Sequence, residues 1–233
     1  MRHELTSAAE QPLKTTMKRF VMAVLFSIAF GYIEAAVVVY LRAIFHPDGF
    51  TFPLTVFEDA LNETDRRLLF TEIAREAATI VLIVTAARLF RRARQQTTAY
   101  FFIIFAVWDL FYYFWLKVIL NWPASIMDWD ILFMIPVVWA APVLAPVLVS
   151  LAMLAFAVVI LYRSTYKNPV RVTPLDWVGF FFACLSVVAS FCIAGRYVSQ
   201  PDYRSHFYWP LFALGYLFAT TLFIKCLVKS NPP

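Results

Sequence analysis

Long runs of apolar residues alternate along the chain with short polar segments that carry most of its charge. A helix needs about 20 residues, at 1.5 Å each, to cross a hydrocarbon core of roughly 30 Å. By that measure the pattern predicts membrane-spanning helices at 20–45, 68–90, 99–120, 141–162, 176–195 and 207–228. The predicted fold class is all-α, a polytopic integral membrane bundle of about six transmembrane helices. It forms a single domain over 20–229, behind a polar leader at 1–19 and ahead of a tail at 230–233. The leader is expected to fray. The first apolar run is too long for the hydrophobic part of a cleaved signal and has no small-residue cleavage site, so it reads as a retained helix.

Two stretches depart from the simple pattern. From 131 to 162 the chain is apolar for longer than one span requires and contains Pro136, Pro142 and Pro146. Proline removes a helical hydrogen bond, so a short outer or re-entrant helix is expected at 131–140, ahead of the span. The segment 46–67 is acidic, with Asp48, Glu58, Asp59, Glu63 and Asp65; a turn is expected around Pro47 and Gly49, and a short interfacial helix in PLTVFEDAL. No internal repeat is visible, and the ionisable groups within spans are concentrated in the first three, which is not the pattern of an inverted-repeat transporter.

Composition sharpens this picture. The chain is 62% hydrophobic and 15% charged, with a mean hydropathy of +0.71, against roughly 45 to 50% and about 25% for soluble domains. The bilayer is therefore its main solvent. Aromatic residues make up 18% of the chain, more than interfacial belts use, so some must pack the interior or line a cavity. A net charge of +5 would suit a nucleic acid, but the cations flank apolar runs instead of forming a patch. Lys18 and Arg19, Arg91 to Arg94, Arg163 to Arg171 and Lys225 to Lys229 all fall on one side of a six-span chain. That side is expected to be the cytoplasm, with both termini inside and the protein in the plasma membrane. Cys184, Cys192 and Cys226 lie in apolar runs without CxxC spacing and are expected to be free core thiols.

Against this background the acids inside the first three spans stand out, because an ionised side chain at the bilayer centre costs about 2.5 to 3.5 kcal/mol. Ser27, Gly31, Glu34, Val38 and Arg42 share one face of the first span, Glu72, Arg75, Glu76 and Thr79 one face of the second, and Asp109, Tyr112, Tyr113 and Lys117 one face of the third. Counting at 1.5 Å per residue from the outer ends puts Glu34 roughly 15 Å deep, Glu76 roughly 12 Å and Asp109 roughly 16 Å. Three carboxylates from consecutive helices should then meet at one level. Glu34, Glu72, Glu76 and Asp109 outnumber Arg75 and Lys117, so two are expected to be protonated, hydrated in an outward-opening cavity, or bound to a cation. Arg75 and Lys117 salt-bridged to two of the acids, with the rest held by tyrosines, is the purely structural alternative.

Glu34, Glu76 and Asp109 are the candidate acid/base residues, and Glu72, Arg75, Tyr112, Tyr113 and Lys117 the candidate substrate-binding ones. The same three carboxylates are an all-oxygen ligand set that would suit a hard divalent cation. His3, His46 and His206 are placed wrongly for intramembrane haem, and no Walker A loop, GxGxxG, GxSxG or HExxH occurs, which argues against nucleotide and common hydrolase chemistry. In Asp128-Trp129-Asp130 a helix N-cap is preferred over a metal-phosphate site. The expected function is an intramembrane enzyme acting on a lipid or isoprenoid-like substrate. The alternatives are an accessory subunit of a larger membrane complex and a proton- or cation-linked carrier; neither they nor the enzyme call for a nucleic-acid partner.

Overall fold

The computed structural model describes residues 2–47, 49–54, 63–166 and 169–230, with side chains described from Lys14 onward except at 95 and 166. Its helices are α1 (Arg2–Phe45), α2 (Glu63–Phe90), α3 (Thr97–Leu120), α4 (Leu144–Tyr166), α5 (Pro174–Gly195) and α6 (Trp209–Lys229). Five of them, α1 and α3 to α6, are long and apolar enough to cross a membrane. The chain is a multi-pass helical membrane protein. α2 is as long as the others, but Glu72, Arg75, Glu76 and Arg88 lower its hydropathy. The expected interfacial helix at 53–61 falls almost wholly outside the described residues, as do Asp48, Glu58, Asp59 and Lys167.

Two expectations need correction. The leader backbone does not fray but continues α1 back to Arg2. The segment expected as a short helix at 131–140 is instead an antiparallel hairpin, β1 (Trp129–Phe133) and β2 (Trp139–Pro142), with Asp130 opposite Ala141 and Ile131 opposite Ala140. Every position there is apolar, so periodicity cannot separate helix from strand. Pro136 sits at the hairpin tip, where it needs no partner for a missing N–H. Nor does Asp128 cap a helix that follows it: its Oδ2 accepts from the backbone N–H groups of Ala124 (2.7 Å) and Ser125 (3.0 Å) in the preceding turn.

Helix ends are set by local chemistry. α5 opens with a capping box in which the Thr173 hydroxyl accepts from the Asp176 N–H while the Asp176 carboxylate accepts from the Thr173 N–H, with Pro174 in the first turn. Asp176 also accepts from Lys225 Nζ at 2.8 Å, tying α5 to α6. At the far end of α2, Arg19 donates to the carbonyls of Phe90 and Arg91 (3.2 and 2.8 Å), groups that a helix C-terminus leaves without partners.

Small residues allow close approach, as is usual where lipid offers no hydrophobic drive between helices. Ala23, Ala87, Ala99 and Ala157 are fully buried among α1 to α4, with Ile83, Tyr100, Ile103 and Ile104. On α1, a Cβ at Gly31 would lie 2.9 Å from the Trp108 carbonyl of α3. A second core lies at the hairpin end, where Leu54, Trp129, Ala140, Phe191, Tyr203, Phe207 and Phe212 pack together. The cysteines form no disulfide; only Cys226 is buried, and Cys184, expected in the core, is exposed and lines the cavity described below.

Candidate functional site

Between these cores lies a cavity of about 1170 Å³, walled by all six helices and roofed by the hairpin. Its polar end gathers Glu34, Glu72, Arg75, Glu76, Asp109, Tyr112 and Tyr113 from α1, α2 and α3. The acids expected to face inward from helical spacing thus all line this one cavity. Toward the opposite end the lining turns apolar and aromatic, with Phe101, Phe102 and Phe105 of α3, Phe156 of α4, Phe180 of α5 and Phe223 of α6.

Arg75 organises the α2 face. Its Nε donates to Glu72 Oε2 at 2.8 Å, its Nη2 pairs with Glu72 Oε1, and its Nη1 reaches across to Glu34 of α1. Glu34 is 5% exposed, and its other oxygen accepts from the Thr79 hydroxyl at 2.9 Å. One guanidinium thus holds two carboxylates in the fork geometry suited to such pairs.

Glu76 and Asp109 are held differently. Glu76 accepts from the backbone N–H of Met134, at the end of β1, at 2.8 Å. Asp109 accepts from the Ser150 hydroxyl of α4 at 2.7 Å. Neither is ion-paired among the described residues; Arg75 acts on Glu76 only at longer range. The three carboxylates therefore do not gather as a ligand set. Glu34 turns to Arg75, Glu76 to the hairpin and Asp109 to α4, and among the described residues no group of three or more His, Cys, Asp or Glu is placed to hold a metal ion.

Lys117 does not join the site. Its Nζ donates to the carbonyls of Asn121 (3.3 Å) and Pro123 (2.9 Å), closing the end of α3, where Asn121 takes the left-handed conformation. Cations at a helix C-terminus are worth about 0.3 to 1 kcal/mol. Lys117→Ala is accordingly expected to lower stability by no more than that, measured by thermal unfolding in detergent.

A second ion pair, not assigned to the site from the sequence, completes the polar end. Asp130 of β1, 2% exposed, accepts from Arg42 Nη2 at 3.1 Å and from the Tyr112 hydroxyl at 3.3 Å. The Arg42 guanidinium lies against both Phe50 and Trp122, 4.0 and 3.9 Å from their centroids, in the corner formed by these two edge-on rings, an arrangement favoured by the ring quadrupoles. Burial pushes the Asp130 carboxyl up, while Arg42 and the Tyr112 hydroxyl pull it back down. The signal in the sequence was the position of Arg42 on the Glu34 face. Its partner was hidden because Asp130 lies far along the chain, in a tripeptide expected to cap a helix.

His46, just past α1, packs edge-on against Phe50 at 5.3 Å. Partial burial and neighbouring Arg42 hold its imidazole below the usual 6.5. The unfolded chain then takes up this proton first as pH falls, so the contribution of His46 to stability is present above about pH 6.5 and is lost on acidification. Between about pH 7 and pH 5 the wild type should lose more thermal stability than His46→Gln; superimposable melting-temperature profiles would refute this.

No family model, curated protein or solved structure matches the chain. The class it belongs to is defined by fold and site alone: a multi-pass helical membrane protein with carboxylates buried at the polar end of an otherwise apolar cavity.

Proposed function

We propose that this protein is an intramembrane enzyme acting on an amphiphilic, lipid or isoprenoid-like substrate, with Glu76 and Asp109 as its acid/base pair. The observation that carries this is the cavity, with carboxylates gathered at one end and a lining that is mainly aromatic and aliphatic along the rest, where Arg94, Thr98 and Thr220 are the polar members among the described residues. Such a shape suits a hydrocarbon chain with a polar head, whereas a hydrated ion crossing by this route would meet phenylalanines. This favours a lipid-handling site over a carrier.

Glu76 and Asp109 are chosen because they keep oxygen lone pairs free of any guanidinium. Each has one hydrogen bond to orient it, from Met134 N–H or Ser150 Oγ. With one carboxyl protonated and the other ionised, the pair can donate a proton to one substrate oxygen and accept one elsewhere, the usual work of carboxylates in a dry site. Glu34 and Glu72, which share Arg75, are positioning groups in this scheme: they fix the guanidinium and hence the wall of the pocket. Tyr112, held by Asp130, supplies an aromatic face. The polar end opens toward the extracytoplasmic side. In support, Arg91, Arg92 and Arg94 lie at the start of α3, away from the hairpin, as cytoplasmic residues should.

The test is to incubate detergent-purified protein with a polar membrane-lipid extract and follow the lipids by mass spectrometry. Wild type should convert one amphiphile class, with Glu76→Gln and Asp109→Asn slower by about 10²-fold or more, as for loss of a general acid or base. Equal conversion by these variants would remove the acid/base assignment. An amphiphile retained by the wild type but never converted would make the site a binding pocket and not a catalytic one.

A further inference from the structure

The helices around the aromatic part of the cavity do not all pack on their neighbours. α2 packs against α3 and, less closely, α1, whereas α5 packs against α6 and β2. Among the described residues no extended packing joins α2 to α5 or α6, although all three line the cavity. The hairpin tip spans this gap at one end only. There the Met134 N–H meets Glu76 of α2, and the carbonyl of Val138 lies against Gly195 of α5.

The residues that edge the gap are placed as a rim. Ile80 of α2 lines the cavity yet is 37% exposed, and it stands between Thr79, which is buried, and Val81, which is exposed. Cys184 of α5 also lines the cavity and is exposed, between buried Ala183 and exposed Leu185. Successive helical residues are about 100° apart, so each sits where the inward face of its helix meets the lipid-facing one. Both lie ten residues, roughly 15 Å, from the helix end away from the hairpin. In a hydrocarbon core of about 30 Å that is one level, near the middle of the bilayer. The rim is apolar, with Ala77 and Ile80 on one side and Trp177 and Cys184 on the other.

We infer that the gap between α2 and α5 is a lateral portal through which the hydrocarbon chain of a membrane amphiphile passes from the bilayer into the aromatic part of the cavity. A chain taking this route stays in apolar surroundings throughout. Entry by way of the polar end would draw it through water, at a cost for every methylene. Inside, it meets Phe102 and Phe105 of α3 and Phe223 of α6. This inference rests on the reading of the cavity as an amphiphile site and adds the route by which that site is filled.

The test uses the full chain in phosphatidylcholine nanodiscs doped with hexadecanol carrying a mid-chain diazirine, an uncharged probe that reports where a chain goes irrespective of head group. After irradiation, adducts are located by proteolysis and mass spectrometry. Wild type should carry them on Phe102 and Phe105, partly buried on the helix enclosed by α1, α2 and α4, as well as on exposed Leu214 and Leu217 of α6. The variant Ile80→Trp/Cys184→Trp, which fills the rim, should lose the Phe102 and Phe105 adducts and keep those on α6, which report that it is inserted and packed. Should the α6 adducts change as well, the rim is filled after folding instead, by alkylating Cys184 with benzylmaleimide in a Cys192→Ala chain, with the same loss expected. Interior adducts that survive a filled rim overturn the portal and leave the amphiphile site standing. Wild type labelled on α6 alone removes the amphiphile reading itself, and the portal with it.

Discussion

Replacing Arg75 with alanine is expected to destabilise the protein by about 3 to 5 kcal/mol, the range for removing one partner of a buried ion pair. Both Glu34 and Glu72 would lose their cation, and Glu34 sits in the protein interior, 5% exposed, with the Thr79 hydroxyl as its one remaining partner among the described residues. The cost arises from stranded charge more than from lost attraction, which gives the prediction an internal control. Adding Glu34→Gln and Glu72→Gln to Arg75→Ala should restore much of the stability, because neutral amides can be buried with ordinary hydrogen bonds. Unfolding of the purified protein in mixed micelles, followed by circular dichroism, measures both. If Arg75→Ala melted like the wild type, the two acids would have to be protonated or hydrated in the wild type, and Arg75 would not be what holds them.

Gly195→Ala should have the second large effect. A Cβ at Gly195, the last residue of α5, would lie 1.8 Å from the carbonyl oxygen of Val138 and 2.6 Å from its carbon. Those are backbone atoms of the hairpin, so no side-chain rotation relieves the clash. The hairpin must move off α5, at a cost above the roughly 1 to 3 kcal/mol typical of overpacking. The displacement should propagate to the site, since the same hairpin supplies the Met134 N–H to Glu76 and Asp130 to Arg42. Hydrogen exchange would detect it as lost protection at Met134. Gly179→Ala is the matched comparison: its Cβ would meet only the tip of Leu222, Cδ1 at 2.6 Å, which can rotate away. Similar stability for the two variants would contradict the close docking of the hairpin.

Much of the helical framework was legible along the chain. The apolar runs predicted the ends of α3, α5 and α6 each to within two residues of those observed. Run length in a bilayer is a local property, set by hydrocarbon thickness and the need to satisfy backbone hydrogen bonds within the helix. The inward face of α1 was legible for a similar reason: Ser27, Glu34 and Arg42 recur at helical spacing, and all three are buried.

Pairing was not legible, because it depends on contacts between distant segments. The depth argument brought Glu34, Glu76 and Asp109 to one level, but depth says nothing of rotation about each helix axis. Only the packed structure decides that Arg75 turns toward Glu34 and Glu72, that Asp109 turns to Ser150, and that Lys117 points away to its own helix end. The hairpin is the clearest case. A uniformly apolar stretch at 131–142 carries no period, so nothing local separates strand from helix; antiparallel pairing with a bend at Pro136 wins because it seats Asp130 on Arg42, sets the Met134 N–H on Glu76 and lays the carbonyl of Val138 against Gly195. The sequence by itself determined that the chain lives in a membrane and which faces of its first three helices are polar. The tertiary structure decided which of those charges pair and which have no ion pair among the described residues, because electrostatic pairing depends on angstrom-scale distances between elements that sequence spacing leaves undefined.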